Sequence, residues 1–61
     1  SLTPQKKDLL DYLSEKFATS DAIKAGKEVG LSERSVMYTL SELNKANIIR
    51  KIKHGEYEKL Q

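Results

Sequence analysis

The sequence predicts a mainly α-helical domain that ends in a small β-hairpin, with three helices followed by two strands. Three segments carry apolar residues at helical spacing, which indicates amphipathic helices. Each of these segments follows a Thr or Ser residue that is suited to cap a helix N-terminus. Two strand-like segments then flank the dipeptide His54-Gly55, whose length and glycine are typical of a hairpin turn.

Length and composition limit what such a domain can do. The chain has 61 residues, no Cys and one His, so we expect a single domain over residues 1–61, excised from a longer protein. A core of this size contributes roughly 3–5 kcal/mol of stability. No disulfide is possible without Cys, and a lone His cannot supply a structural zinc site. We therefore expect no metal, no cofactor and no enzymatic activity.

The sequence contains no segment that predicts membrane insertion or export. No apolar run approaches the roughly 18 residues of a membrane span, and no signal peptide is recognisable. The formal net charge is +2, and the excess of basic residues lies within residues 31–61. We expect a cytoplasmic domain that has no membrane partner and is mildly basic in its second half.

The first helix is predicted over residues 4–16. Thr3 is suited to cap the free amide groups, and Pro4 fits the first helical position because its missing N–H group would be unpaired there. One stripe of this helix is apolar and consists of Leu9, Leu10, Leu13 and Phe17. A short strand is expected near Ala18.

The second helix is expected to have Thr19 or Ser20 as its capping residue. Gly26 lies on its inward face, although glycine costs a helix interior about 0.5–1 kcal/mol relative to alanine. Its presence there indicates that another helix approaches closely. Gly30 is suited to the left-handed conformation that ends a helix.

The third helix is predicted over residues 33–46, with Ser32 as its N-cap. Asn47 follows its end and is suited to a left-handed C-cap. The helical period of about 3.6 residues places one apolar stripe on the core side. That stripe consists of Val36, Leu40 and Leu43.

A two-residue hairpin loop at residues 54–55 predicts a uniform register between the two strands. In that register Arg50 faces Lys59, and like charges in opposition are destabilising unless an anion lies between them. The opposition therefore favours a hairpin that faces an anion. The predicted pairs are Lys53 with Glu56, Ile52 with Tyr57, Lys51 with Glu58, Arg50 with Lys59 and Ile49 with Leu60.

The centre of the chain carries the spacing of a helix-turn-helix. Gly30 lies in the turn, Gly26 precedes it by four residues and Val36 follows it by six. With residues 30–36 and 47–49, Leu40, Leu43, Gly55 and Tyr57, this arrangement resembles winged helix-turn-helix DNA-binding domains of bacterial regulators. The resemblance covers nearly the whole chain, although the family usually has Gly where this chain has Asn47. A more specific similarity is to the small C-terminal winged helix of some primase- or helicase-like proteins of bacterial mobile elements.

The resemblance implies a duplex DNA-binding module of the kind used in transcription regulation. Helix three (33–46) would enter the major groove, and the wing over residues 48–60 would lie on the phosphate backbone. Arg34 would read a base, because its guanidinium fits O6 and N7 of guanine. The candidate DNA-binding residues are Ser32, Arg34, Ser35, Met37, Tyr38, Lys45, Arg50, Lys51, Lys53, His54 and Lys59.

A protein-interaction domain is the alternative hypothesis. Helix three carries Glu33 and Glu42 beside its basic residues, so its charge is balanced. Met37 and Tyr38 are of the types that are enriched in protein interfaces. Such a domain would dock other parts of a larger replication or mobile-element protein and be monomeric in isolation. RNA binding is a third possibility, but the chain has no array of aromatic residues for base stacking.

Overall fold

The computed structural model describes residues 2–60. Three helices pack against one face of a three-stranded antiparallel sheet, in which the strand order is β1-β3-β2. The predicted fold class, mainly α-helical with a small hairpin, is confirmed, as is the short strand near Ala18. The elements in chain order are α1 (Pro4–Tyr12), β1 (Lys16–Ala18), α2 (Thr19–Glu28), α3 (Glu33–Lys45), β2 (Ile49–Lys53) and β3 (Glu56–Lys59).

Helix α1 begins as predicted but ends four residues early. The Thr3 side chain accepts a hydrogen bond from the N–H of Lys6, and Pro4 occupies the first turn. At the other end Leu13 adopts extended backbone angles, φ −84° and ψ 146°. The expected helix over 4–16 is therefore wrong at its C-terminal end, because residues 16–18 form the edge strand β1 instead.

Phe17 explains why the sequence pattern overstated the length of α1. Its ring lies opposite Tyr57 on β3 and stacks on it, with the ring centroids 5.5 Å apart. Leu9, Leu13 and Phe17 all enter the core, but the last of them does so from a strand. The helical spacing of apolar residues thus continues into residues 16–18, although the backbone of that segment forms a strand of the sheet.

The N-terminus of α2 is capped from within the helix. Neither Thr19 nor Ser20 is the N-cap as expected; Ala18 occupies that position, and its N–H donates to the Asp21 carboxylate at 2.9 Å. The N–H of Thr19 donates to the carbonyl of Gly55 in the hairpin turn at 2.9 Å. Helix α2 thus follows β1 with no intervening loop, and its first residue, Thr19, is still hydrogen-bonded to the hairpin.

The turn between α2 and α3 has the geometry that its glycines predict. Gly30 adopts φ +81°, a left-handed conformation that favours glycine. A Cβ atom built on Gly26 would overlap Cγ2 of Val36, so α3 packs against α2 at a position where only glycine fits without rearrangement. The N–H of Leu31 donates to the Gly26 carbonyl at 2.7 Å and holds the turn against the end of α2.

Helix α3 buries the predicted stripe and ends one residue earlier than expected, at Lys45. Val36, Leu40 and Leu43 have essentially no exposed surface. Thr39 is buried beside them, and its hydroxyl donates to the carbonyl of Ser35 at 2.7 Å. Asn47 adopts the predicted left-handed conformation, with φ 59°.

The register of the hairpin differs from the uniform one. Lys53 lies opposite Glu56 as predicted, but an irregularity between Lys51 and Lys53 shifts the remaining partners by one residue. The other four predicted pairings, namely Ile52 with Tyr57, Lys51 with Glu58, Arg50 with Lys59 and Ile49 with Leu60, are wrong. The observed partners are Ile49 with Lys59, Arg50 with Glu58 and Lys51 with Tyr57.

The core requires this bulge. In a uniform two-residue hairpin Ile49 and Tyr57 would point to opposite faces of the sheet, because side chains alternate along a strand. Both are buried, and one extra residue in β2 brings them to the same face. Ile52, which lies in the bulge, is left 46% exposed.

The core itself forms one cluster that draws on every helix and on all three strands. Its members are Leu9, Leu13, Phe17, Ala22, Ala25, Val36, Leu40, Leu43, Ile49 and Tyr57. None of the helices within residues 2–60 has the length and apolar character needed to cross a membrane.

Substituting Gly26 tests the close approach of α2 and α3. We expect Gly26→Ala to destabilise the domain by about 1–2 kcal/mol, because an overlap this severe places the cost in the upper part of the overpacking range of about 1–3 kcal/mol. That cost exceeds the helix-propensity gain of roughly 0.5–1 kcal/mol. The measurement is the urea midpoint of unfolding. Lys27→Ala, at the exposed neighbouring position, serves as the control and should stay within about 0.5 kcal/mol of the wild type. A midpoint for Gly26→Ala at or above that of the wild type would contradict the close approach.

Candidate nucleic-acid interface

The outer face of α3 follows from the residues that the helix buries. Because Val36 and Leu40 point into the core, the opposite side presents Arg34, Met37 and Tyr38 to solvent. Tyr38 is 63% exposed and Met37 44% exposed, so neither packs into the core. All eleven candidate residues lie at the surface: Ser35 and Lys59 are half-buried, and Ser32, Arg34, Met37, Tyr38, Lys45, Arg50, Lys51, Lys53 and His54 are exposed.

Two serines at the start of α3 are occupied by capping. The Ser32 hydroxyl accepts a hydrogen bond from the N–H of Ser35 at 3.1 Å, which confirms the predicted N-cap. The same hydroxyl lies 3.1 Å from the Ser35 hydroxyl and donates to it. Ser32 therefore stabilises the helix terminus, and a phosphate contact from its hydroxyl would compete with that role.

Arg34 lies in the first turn of α3 and is exposed. Within residues 2–60 no carboxylate comes within 4.0 Å of its guanidinium. Lys45, in the last turn of the same helix, is likewise exposed and has no such partner in the described chain. Helix α3 thus carries an unneutralised cation at each end of its outer face.

A cluster between α1 and α3 was missed by the sequence analysis. The ammonium of Lys6 forms an ion pair with the Glu42 carboxylate at 2.8 Å. It also lies 5.2 Å from the centre of the Tyr38 ring, within the range of a cation–π interaction. Tyr38 and Glu42 are four residues apart on one helix face, but nothing local connects either of them with Lys6, 36 residues away from Glu42.

The wing, defined as the β2–β3 hairpin, has an outer face of balanced charge. Arg50 forms an ion pair with Glu58, and Lys53 forms one with Glu56 at 3.5 Å. Lys16 on β1 also lies opposite Glu58, from the other side. The expected opposition of Arg50 and Lys59 is thus replaced by a salt bridge, and the argument from like charges for an anion-facing hairpin no longer applies.

Lys51 differs from Arg50 and Lys53 in the face of the sheet that it occupies. It lies opposite Tyr57 and two residues from Ile49, so it shares the sheet face that packs against the helices. Its side chain is exposed, and none of the described carboxylates lies within 4.0 Å of its ammonium. With Lys59, which lies opposite Ile49, it is one of two wing cations on the helical side of the sheet, and it is the more exposed of the two.

The remaining wing candidates lie at the two ends of β3. His54 is exposed in the turn, next to Gly55 with φ +79°. Lys59 is half-buried, and its N–H donates to the carbonyl of Glu15 at 2.7 Å. Among residues 2–60 no three His, Cys, Asp or Glu side chains gather closely enough to hold a metal ion.

Comparison with family models, with curated protein sequences and with solved structures gives no significant match for this chain. What the outer face of α3 and the wing do is therefore inferred from their own geometry. That geometry consists of an exposed helix with free cations and a wing whose outer charges are mostly paired.

The capping role of Ser32 is open to direct measurement. We expect Ser32→Ala to lower the free energy of unfolding by about 1 kcal/mol, because it leaves an N-terminal amide of α3 without its acceptor. Ser41→Ala is the matched control, since Ser41 is exposed in the interior of the same helix, and its effect should stay within about 0.5 kcal/mol. Equal thermal or urea stability of the two variants would show that the cap contributes nothing.

Proposed function

We propose that this domain binds duplex DNA, with α3 in the major groove and the wing beside the phosphate backbone. The observation that carries the proposal is Arg34, which is exposed in the first turn of α3 and has no carboxylate within 4.0 Å in residues 2–60. In helix-turn-helix complexes the N-terminal residues of the second helix contact base edges. A guanidinium in that position is suited to bidentate hydrogen bonds with guanine.

The shape of the outer face supports the same proposal. Helix α3 has 13 residues, which gives it a length of roughly 20 Å, and a major groove about 12 Å wide accepts an α-helix. Arg34, Tyr38 and Lys45 follow one another along the side that the core leaves free. Lys51 adds a cation on the helical side of the wing.

Charge balance indicates that the affinity is low. The net charge of the chain is only +2, and Arg50 and Lys53 are paired with carboxylates. Few phosphate contacts remain available, so non-specific dissociation constants should fall at the weak end of the range of about 10⁻⁴–10⁻⁶ M. We infer a module that works beside other domains of a cytoplasmic protein, in the setting typical of bacterial regulators or mobile-element proteins.

A protein-binding function is the second candidate, and a specific observation favours it. Tyr38 is 63% exposed and Met37 44% exposed on the centre of α3. Aromatic residues and methionine are enriched in protein interfaces. Binding of this kind would depend on Tyr38 and respond little to salt, whereas DNA binding depends on Arg34 and weakens steeply as salt rises.

An amide-shift titration with a mixed-sequence duplex tests the DNA proposal directly. At low salt we expect shifts at residues 32–38 and 50–59, and we expect them to shrink at physiological salt because phosphate contacts release counterions. Helix α1 outside Lys6 serves as the internal control and should not shift. Absence of any shift at low salt would contradict DNA binding by this domain, and the Tyr38 face would then be tested against protein partners.

Arg34→Ala should relax sequence preference. A site selected from randomised duplexes is compared with a mixed sequence, and we expect the variant to lose about 1–3 kcal/mol of discrimination, the contribution of one bidentate base contact. Lys7→Ala removes one charge from an exposed position of α1 and should leave the preference unchanged. If Arg34→Ala leaves the preference unchanged, as Lys7→Ala should, then Arg34 contributes charge alone.

The two central wing cations should differ in their effect. Lys51→Ala should weaken binding to every sequence and lower the salt slope by about 1, because the Lys51 charge is unpaired in the described chain. Arg50→Ala should have a smaller effect, because Arg50 is already paired with Glu58. In that variant Glu58 still has Lys16 opposite it on β1, so its carboxylate is not left without a basic neighbour. A larger loss in the Arg50 variant would place the outer face of the wing on the DNA instead.

A further inference from the structure

The Lys6–Tyr38–Glu42 cluster joins α1 to the proposed DNA-binding face. The Lys6 ammonium is 2.8 Å from a Glu42 carboxylate oxygen and 5.2 Å from the centre of the Tyr38 ring. The Lys6 side chain is 22% exposed and the Glu42 side chain 41% exposed, so the ammonium is partly buried while the carboxylate stays accessible to solvent. It is the only ion pair among the described residues that links two helices.

The position of this cluster relates it to Arg34. Tyr38 follows Arg34 by four residues and Glu42 follows by eight, so the three side chains lie along one stripe of α3. Arg34 is at the N-terminal end of the stripe, where base contacts are expected. DNA that lies along this stripe would therefore meet the Lys6–Glu42 pair about two helical turns further on.

We propose that Glu42 holds Lys6 away from the DNA phosphates and so restrains the DNA affinity of this domain. The inference rests on the proposed function, since it concerns the same face. A Lys6 ammonium paired with Glu42 contributes no net charge to a phosphate, and the carboxylate repels that phosphate. The Lys6 ammonium lies over the Tyr38 ring and is therefore already at the outer face of α3. Only its pairing with Glu42 prevents it from contacting a phosphate.

Removing the Glu42 charge should therefore convert Lys6 into a phosphate contact. Glu42→Gln retains the size of the side chain and one oxygen that accepts a hydrogen bond from Lys6. One additional phosphate contact steepens the dependence of log affinity on log salt by about 0.9. Between about 50 and about 200 mM salt, the affinity of the variant should thus fall about 3.5-fold more than that of the wild type.

The experiment measures duplex binding across this salt range for four proteins. Glu42→Gln should bind more tightly than the wild type at low salt and show the steeper slope. The double variant Lys6→Gln/Glu42→Gln should return to the wild-type slope, because the added contact belongs to Lys6. Glu15→Gln makes the same chemical change at an exposed residue between α1 and β1, and its slope should match that of the wild type.

Each contrary outcome has a distinct meaning. If the wild type binds duplex DNA but Glu42→Gln behaves like Glu15→Gln, the restraint by Glu42 is overturned and the DNA proposal stands. A gain that persists in the double variant excludes Lys6 as the released cation and overturns the inference as well. If no variant binds at low salt, both proposals fail together. Glu42→Ala removes the same charge and replaces Glu42→Gln should the latter fail to fold, as judged from its amide spectrum.

Discussion

The close approach of Gly26 and Val36 is the constraint on which the rest of the molecule depends. Because Gly26 has no side chain, Cγ2 of Val36 occupies the space that a Cβ atom would need, and α2 and α3 pack closely at this point. Gly30 and the Leu31 hydrogen bond then return the chain immediately into α3. This crossing determines which side of α3 is buried, and thereby makes Arg34 part of an exposed face.

The second constraint is that the sheet and the helices share one small core. Tyr57 and Ile49 must both point toward the helices, and a regular hairpin cannot place them so. The bulge at Ile52 satisfies the core, and it also decides the electrostatics of the wing, because it brings Arg50 opposite Glu58. Packing on one face of the sheet has thus set the charge pairing on the other.

Local chemistry made much of this fold predictable. Ser32, Gly30 and Asn47 end or begin helices through interactions with their immediate neighbours, and each adopts the expected conformation. The end of α1 was not predictable from its pattern, because Phe17 continues the apolar spacing while its backbone joins a strand far along the chain. The exposed side of α3 followed from its period, but the Lys6 pair did not, because it depends on how two helices pack.

Helix α3 exposes apolar side chains at Met37 and Tyr38, whereas the DNA proposal depends on the pattern of charges. The chain has 11 basic and 9 acidic residues, and a difference of two cannot by itself attract DNA strongly. What distinguishes one surface from another is which cations lack a partner. Arg34 and Lys51 belong to that group in the described chain, while Lys6, Arg50 and Lys53 are held by carboxylates. Through this pairing, the packing of α1, α3 and the wing determines which side chains are available to a phosphate.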